Sequence, residues 1–161
     1  MKKSDEKTNV MRLLDGKRIP YTSHVYVDTD AISGVEVASV LGQDPNQVFK
    51  TLVTEGSSKK HYVFLVPVHK ELDLKKAAKA VQEKSIAMIK SKDLLPLTGY
   101  VHGGCSPIGM KKPFTTVIDE SAGAFDTILF SGGKIGYQVE LSLDDLKEIL
   151  EFRLENITVT P

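Results

Sequence analysis

The sequence predicts an α+β domain built on a mixed β-sheet. Three observations carry this: β-rich runs follow one another, capped helical segments stand between some of them, and there is no strict βαβ alternation. The 161 residues fit one domain and suffice to bury a hydrophobic core. With 41% hydrophobic and 26% charged residues, the composition is that of an ordinary globular protein rather than a disordered or fibrous one.

In chain order, residues 4–16 read as a helix with Val10, Met11, Leu13 and Leu14 on one face, ended by Gly16 and Pro20. His24 to Val27 forms a short strand. Ser33 and Glu36 make a capping box, in which the serine caps the backbone and the glutamate reaches back to it. The helix they open turns Val37, Val40 and Leu41 inward and stops at Gly42. Residues 48–55 and 61–68 form a hairpin across the loop Gly56-Ser57-Ser58-Lys59-Lys60. Asp73 caps a helix to about Val81, and residues 86–90 form a short strand. Ser91 starts a helical turn that Pro96 and Gly99 break. Beyond the glycine-rich loop 103–109 lie strands at 115–119 and 127–130, then a tight turn at 131–136 into a strand at 137–141. Ser142 caps a last helix that buries Leu143, Leu146, Ile149 and Leu150, and residues 157–159 return as an edge strand.

Several function classes fall away on composition. The 21 Lys plus Arg balance 21 Asp plus Glu, which argues against coating DNA or RNA through bulk charge but leaves room for a local basic patch. The longest apolar runs are far too short to span a bilayer. The segment MKKSDEKTN has no apolar stretch after it, so it does not read as a secretory signal. The single Cys105 cannot form an internal disulfide, and a cytoplasmic setting is expected.

Catalytic motifs are near misses. The segment 104–111 places its lysine one position late for a phosphate-binding loop, and its glycines bracket Ser106 at the wrong spacing for a nucleophile elbow. Pro107 also removes the N–H such an elbow needs. Cys105 has His102 three residues before it, yet a lone cysteine is more often a small packed residue. The four histidines show no metal spacing; His61 and His69 would lie about 27 Å apart on an extended strand. Neither a metal nor another cofactor is expected.

Lys50 stands out. Strand alternation puts it on one face with Val48 and Leu52, while Phe49 and Val53 occupy the other, so both faces read as largely buried. A lysine there snorkels, meets an anion or lines a cavity. The loop 103–109, with its glycines and fixed proline, allows close approach of a ligand to backbone N–H groups. Ser131-Gly132-Gly133 repeats that pattern more weakly.

Five segments in order, Val48-Phe49-Lys50-Thr51-Leu52, Leu74-Lys75-Lys76-Ala77-Ala78-Lys79, Thr98-Gly99-Tyr100 with Gly103-Gly104, Ser106-Pro107-Ile108-Gly109 with Lys111-Lys112, and Phe130-Ser131-Gly132-Gly133-Lys134 with Gly136, resemble the YbaK/EbsC family of tRNA-editing deacylases. The resemblance spans nearly the whole chain. It implies a barrel-like mixed sheet with surrounding helices, and removal of a wrongly attached amino acid, most typically cysteine, from the proline tRNA. Prolyl-tRNA synthetase becomes an implied partner. Lys50 matches the family's key lysine, Thr51 its neighbour, Tyr26 an early aromatic residue, and Gly103 and Ser131 pocket positions; Tyr100 joins them as a substrate-binding candidate. Lys75, Lys76, Lys79, Lys111 and Lys112 are candidates for contact with the tRNA. Three positions depart: Ser33 stands where some relatives carry a bulky aromatic, Gln138 where some carry an acid, and Cys105 where relatives look aliphatic. Two other readings fit the residues, a non-catalytic tRNA- or synthetase-binding module and a hydrolase using Cys105.

Overall fold

The paired apolar runs around residues 49–67 make a hairpin the centre of the computed structural model, which describes residues 7–160. Strand β2 (Phe49–Gly56) and strand β3 (His61–Pro67) pair antiparallel, with Lys50 opposite Val66 and Thr51 opposite Leu65. The loop between them is held by Glu83, whose carboxylate accepts from Ser57 Oγ, Ser58 Oγ and Ser58 N–H. Tyr62 adds a fourth hydrogen bond at 2.6 Å, and these donors hold the Glu83 carboxyl near a pKa of about 2.

The helices begin where their caps dictate. Helix α1 (Asn9–Gly16) starts at Thr8, whose Oγ1 accepts from Met11 N–H. Residues 4–6, included in the expected helix, lie outside the described residues. Strand β1 (Thr22–Val25) ends before Tyr26 and Val27, earlier than the sequence pattern reads. Helix α2 (Gly34–Val40) carries both bonds of the Ser33–Glu36 capping box. It buries Val37 and Ala38, whereas Val40, expected inward, is 51% exposed. Seven residues give α2 a narrow apolar stripe, and Ala38 rather than Val40 falls on the line facing the sheet.

Helix α3 (Leu74–Val81) starts at Asp73, whose carboxylate accepts from the N–H groups of Lys75 and Lys76. Strand β4 (Ile86–Met88) leads to helix α4 (Ser91–Thr98), which runs through Pro96 instead of breaking there. Thr98 Oγ1 donates to the Leu94 carbonyl at 2.7 Å and Gly99 N–H to that of Leu95 at 2.9 Å, so the last turn is kept despite the missing proline N–H. Strand β5 (Thr115–Asp119), a 3-10 turn at Glu120–Ala124, strand β6 (Ile128–Ser131) and strand β7 (Tyr137–Leu141) follow. The last helix, α5 (Leu143–Leu146), is shorter than its apolar pattern predicts, although Leu150 N–H still reaches the Leu146 carbonyl. The edge strand is β8 (Arg153–Glu155), not residues 157–159. Pairing with β5 recruits this polar segment, a tertiary effect that propensity does not carry. Residues 157–159 make only an isolated bridge, Thr158 to Leu72.

The result is a single α+β domain whose strands form two sheets. One is antiparallel, in the order β1-β7-β6; the other is mixed, β4-β2-β3-β5-β8, with β5 parallel to both β3 and β8. They do not close into the barrel-like sheet the resemblance implies. A parallel bridge between Val48 and Leu129 joins β6 to the start of β2, while β4 pairs only with its end, from Thr54 to Gly56. The main core, with Phe49, Val53, Leu65, Phe130 and Tyr137, lies on one face of β2; Phe64, Val66 and α3 form a second core on the other. No helix among the described residues is long and apolar enough to cross a membrane.

Candidate active site

The split pairing of β2 leaves an opening along its edge. The Gln47 carbonyl accepts from Leu129 N–H at 3.1 Å and the Val53 carbonyl from Ile89 N–H at 3.3 Å. Odd-numbered residues of β2 therefore turn their backbone groups to this side. Between those two contacts neither β6 nor β4 pairs with the strand, and by the same alternation the N–H and C=O of Thr51 face the opening.

A cavity of about 400 Å³ occupies it. One wall is Tyr26 with Ile32, Gly34 and Val35 at the start of α2, and another is Met88, Ile89 and Lys90 leading into Ser91 and Leu94 of α4. His102, Gly103 and Cys105 come from the glycine-rich loop, and Phe130, Ser131, Tyr137 and Gln138 from the three-stranded sheet. Two glycines set the spacing. A Cβ on Gly34 would lie 2.2 Å from Val68 Cγ1, so only glycine lets α2 sit this close to the end of β3. Gly103 has φ +87° and faces Ile32, where a Cβ would come within 3.0 Å of Cγ2.

The cavity's polar groups are few and distinct. Lys50 keeps 28% of its side chain exposed, with Nζ 3.6 Å from Glu71 Oε1. Thr51 Oγ1 is buried with no hydrogen-bond partner. Ser131 Oγ accepts from Gly133 N–H at 3.1 Å, which fixes the turn after β6. Gln138 and Gln43 exchange amide hydrogen bonds of 2.7 and 3.0 Å, tying the turn that follows α2 to β7 and making this part of the wall neutral. Burial raises the Tyr26 phenol above its ordinary pKa. It pushes the Cys105 thiol up to about 12, so at neutral pH that sulfur is a thiol and not a nucleophilic thiolate.

Lys50, Tyr26, Thr51, Gly103 and Ser131, distant in sequence, all line this one cavity. Tyr100 is not among its lining residues. It sits 8% exposed in the core, with its hydroxyl donating to the Ile108 carbonyl, and burial is the main cause that raises its pKa to about 12. None of Lys75, Lys76, Lys79, Lys111 and Lys112 lines the cavity. Lys76 is engaged elsewhere, its ammonium donating to Thr158 O at 2.8 Å, Thr160 Oγ1 at 2.9 Å and Asn156 Oδ1 at 3.4 Å. Sequence reasoning missed Met88, Lys90 and Leu94. Their arrival at the cavity that Lys50 and Thr51 line follows from the long-range pairing of β4 with β2, a partner that the strand-like pattern of residues 86–90 does not specify.

The unpartnered Thr51 hydroxyl gives a test. Thr51→Val keeps the shape and removes a buried polar group that nothing satisfies, so thermal stability should hold or rise. If a ligand supplies the missing partner, its binding or turnover should weaken by roughly 3- to 10-fold, the loss of one hydrogen bond. Equal losses in stability and activity would assign the hydroxyl to the fold instead.

Comparison with known proteins bears on the family and the fold. Residues 28–149 match the model of the aminoacyl-tRNA editing domain. The chain is 41% identical over 158 residues to the "Putative Cys-tRNA(Pro)/Cys-tRNA(Cys) deacylase EbsC" of Enterococcus faecalis, covering 98% of this chain and 96% of that protein. It is 28% identical over 107 residues to the proline–tRNA ligase of Fervidobacterium nodosum, of which it spans 18%. The fold superposes on a crystal structure described as "a putative trans-editing enzyme for prolyl tRNA synthetase" with TM-score 0.80, at 21% identity, covering 96% of this chain and all of that one.

Proposed function

The chain belongs to the aminoacyl-tRNA editing domain family, and from that membership we propose that it deacylates mischarged tRNA in trans, with cysteine on the proline tRNA as its main substrate. The observation that carries the reading is the convergence of Lys50, Thr51, Gly103 and Ser131 on one cavity. The name of the Enterococcus relative supports the substrate, and the partial likeness to a proline–tRNA ligase supports the proline system. Prolyl-tRNA synthetase is the proposed partner and the cytoplasm the proposed setting.

An aminoacyl ester is already activated, so the site must mainly hold the 3′ end and stabilise developing negative charge. In this mechanism the Lys50 ammonium contacts the terminal nucleotide or the ester region, and backbone N–H groups near Gly103 and Ser131 orient the carbonyl. The substrate's own thiol is the nucleophile. A free cysteine thiol has a pKa of about 8.5, so thiolate is accessible near neutral pH. The sulfur attacks the ester carbonyl carbon, the S–C bond forms, and the ester C–O bond breaks. The ribose oxygen leaves and takes a proton, giving a thiolactone and free tRNA. The cavity supports this division of labour, because the protein sulfur it contains, Cys105, is held protonated by burial.

Release of labelled amino acid from Cys-tRNA(Pro), Ala-tRNA(Pro) and Cys-tRNA(Cys) tests the reading. Cys-tRNA(Pro) should be cleaved fastest, with thiolactone as the first product. Cys105→Ala should retain turnover within about threefold, since its thiol is outside the useful pKa range. Inactivation of that variant in a folded state would shift the assignment to a Cys105-dependent hydrolase, and binding of tRNA without amino-acid release would shift it to a non-catalytic module.

A further inference from the structure

The ammonium of Lys50 has an ion-pair partner among the described residues, Glu71, at 3.6 Å. Glu71 lies in the segment between β3 and α3 and is not among the cavity-lining residues. Its side chain is 82% exposed, yet its backbone is well anchored. The Glu71 carbonyl accepts from Val159 N–H at 3.0 Å, and Asp73 N–H donates to the Ile157 carbonyl at 2.8 Å. Lys76 fastens the same returning segment through Thr158 O and Thr160 Oγ1. The carboxylate is thus delivered to the cavity's edge by fixed backbone, on a side chain that remains free to swing away.

We propose that Glu71 is an exchangeable counter-ion of Lys50, which the phosphodiester-bearing end of the substrate must displace. A pair this exposed is weak, shifting an equilibrium by at most about fivefold. The cost is the same for every anion that takes the place of Glu71, so it lowers the affinity for an RNA end and for a small phosphate by one factor. A negative side chain beside the mouth also repels phosphate on its own account, and that contribution must be separated from the pairing with Lys50.

The inference rests on the deacylase reading only for its substrate, and a double-mutant cycle tests it independently. Adenosine 5′-monophosphate serves as a soluble probe of the terminal nucleotide, with its dissociation constant measured for the wild type, Glu71→Gln, Lys50→Met and the double variant. Glu71→Gln should bind the probe two- to fivefold more tightly, and that gain should vanish when Lys50 is methionine. In deacylation, Glu71→Gln should raise kcat/KM by a similar factor, carried by KM, and inhibition by inorganic phosphate should become stronger. No gain in probe affinity, an equal gain in the Lys50→Met background, or no binding of the probe by any of the four proteins overturns the proposal. Absence of deacylation by the wild type overturns the functional reading instead, while the binding cycle still reports on the ion pair.

Discussion

Lys50→Ala should cut the rate of amino-acid release by at least about 10²- to 10³-fold, the expected consequence of removing the charge that holds the reacting end of the substrate in place. The protein should stay folded, because Lys50 makes one weak exposed ion pair and its strand is held by Val66 and its neighbours on β3. Single-turnover deacylation of Cys-tRNA(Pro), read beside a thermal melt, separates the two effects. Lys50→Arg keeps the charge but replaces a compact ammonium with a planar fork, so it should recover only part of the rate. Full activity in Lys50→Ala would remove the residue from the mechanism and leave the backbone donors as the source of catalysis.

Phe64→Ala should do the opposite, weakening the fold and sparing the site. Phe64 is fully buried at 0% exposure in the core between the five-stranded sheet and α3, and it does not line the cavity. Truncating a buried phenylalanine costs about 3–5 kcal/mol in transfer and cavity terms. For a domain of this size that lowers the melting temperature by roughly 10 °C. Deacylation kinetics measured well below the new transition should show KM within about twofold of wild type. A large rise in KM at full folding would mean that packing behind β3 controls the cavity.

The parts of this molecule legible in the sequence are those whose cause is local. Ser33 and Glu36 sit three residues apart and make both bonds of the capping box, and Asp73 captures two amides of the first turn of α3. The central hairpin follows from two apolar runs and a polar loop. What failed depends on partners remote in sequence. Residues 153–155 read as a poor strand until β5 lies beside them. Pro96 reads as a break, yet side-chain and backbone bonds from Thr98 and Gly99 carry the helix past it. The candidate site divides the same way. Alternation in β2 singles out Lys50, but neither the wall at Met88 and Lys90 nor the counter-charge at Glu71 can be inferred without the pairing of β4 and the return of the C-terminal segment. The Gly103 loop is ambiguous alone, and only resemblance joins it to Lys50 before the structure does.

The edge of β2 that neither β6 nor β4 covers has a further consequence for how the protein behaves among other chains. A row of unpaired N–H and C=O groups on a strand normally invites a stranger's strand and so promotes aggregation. Here the exposed rung at Thr51 lies inside a walled cavity, behind α2 on one side and α4 on the other. These walls stand in the way of a foreign β-strand laid flat along the edge. The hazard of an open strand edge is thereby reduced by the walls that enclose it, while the Thr51 N–H and C=O stay turned toward the cavity.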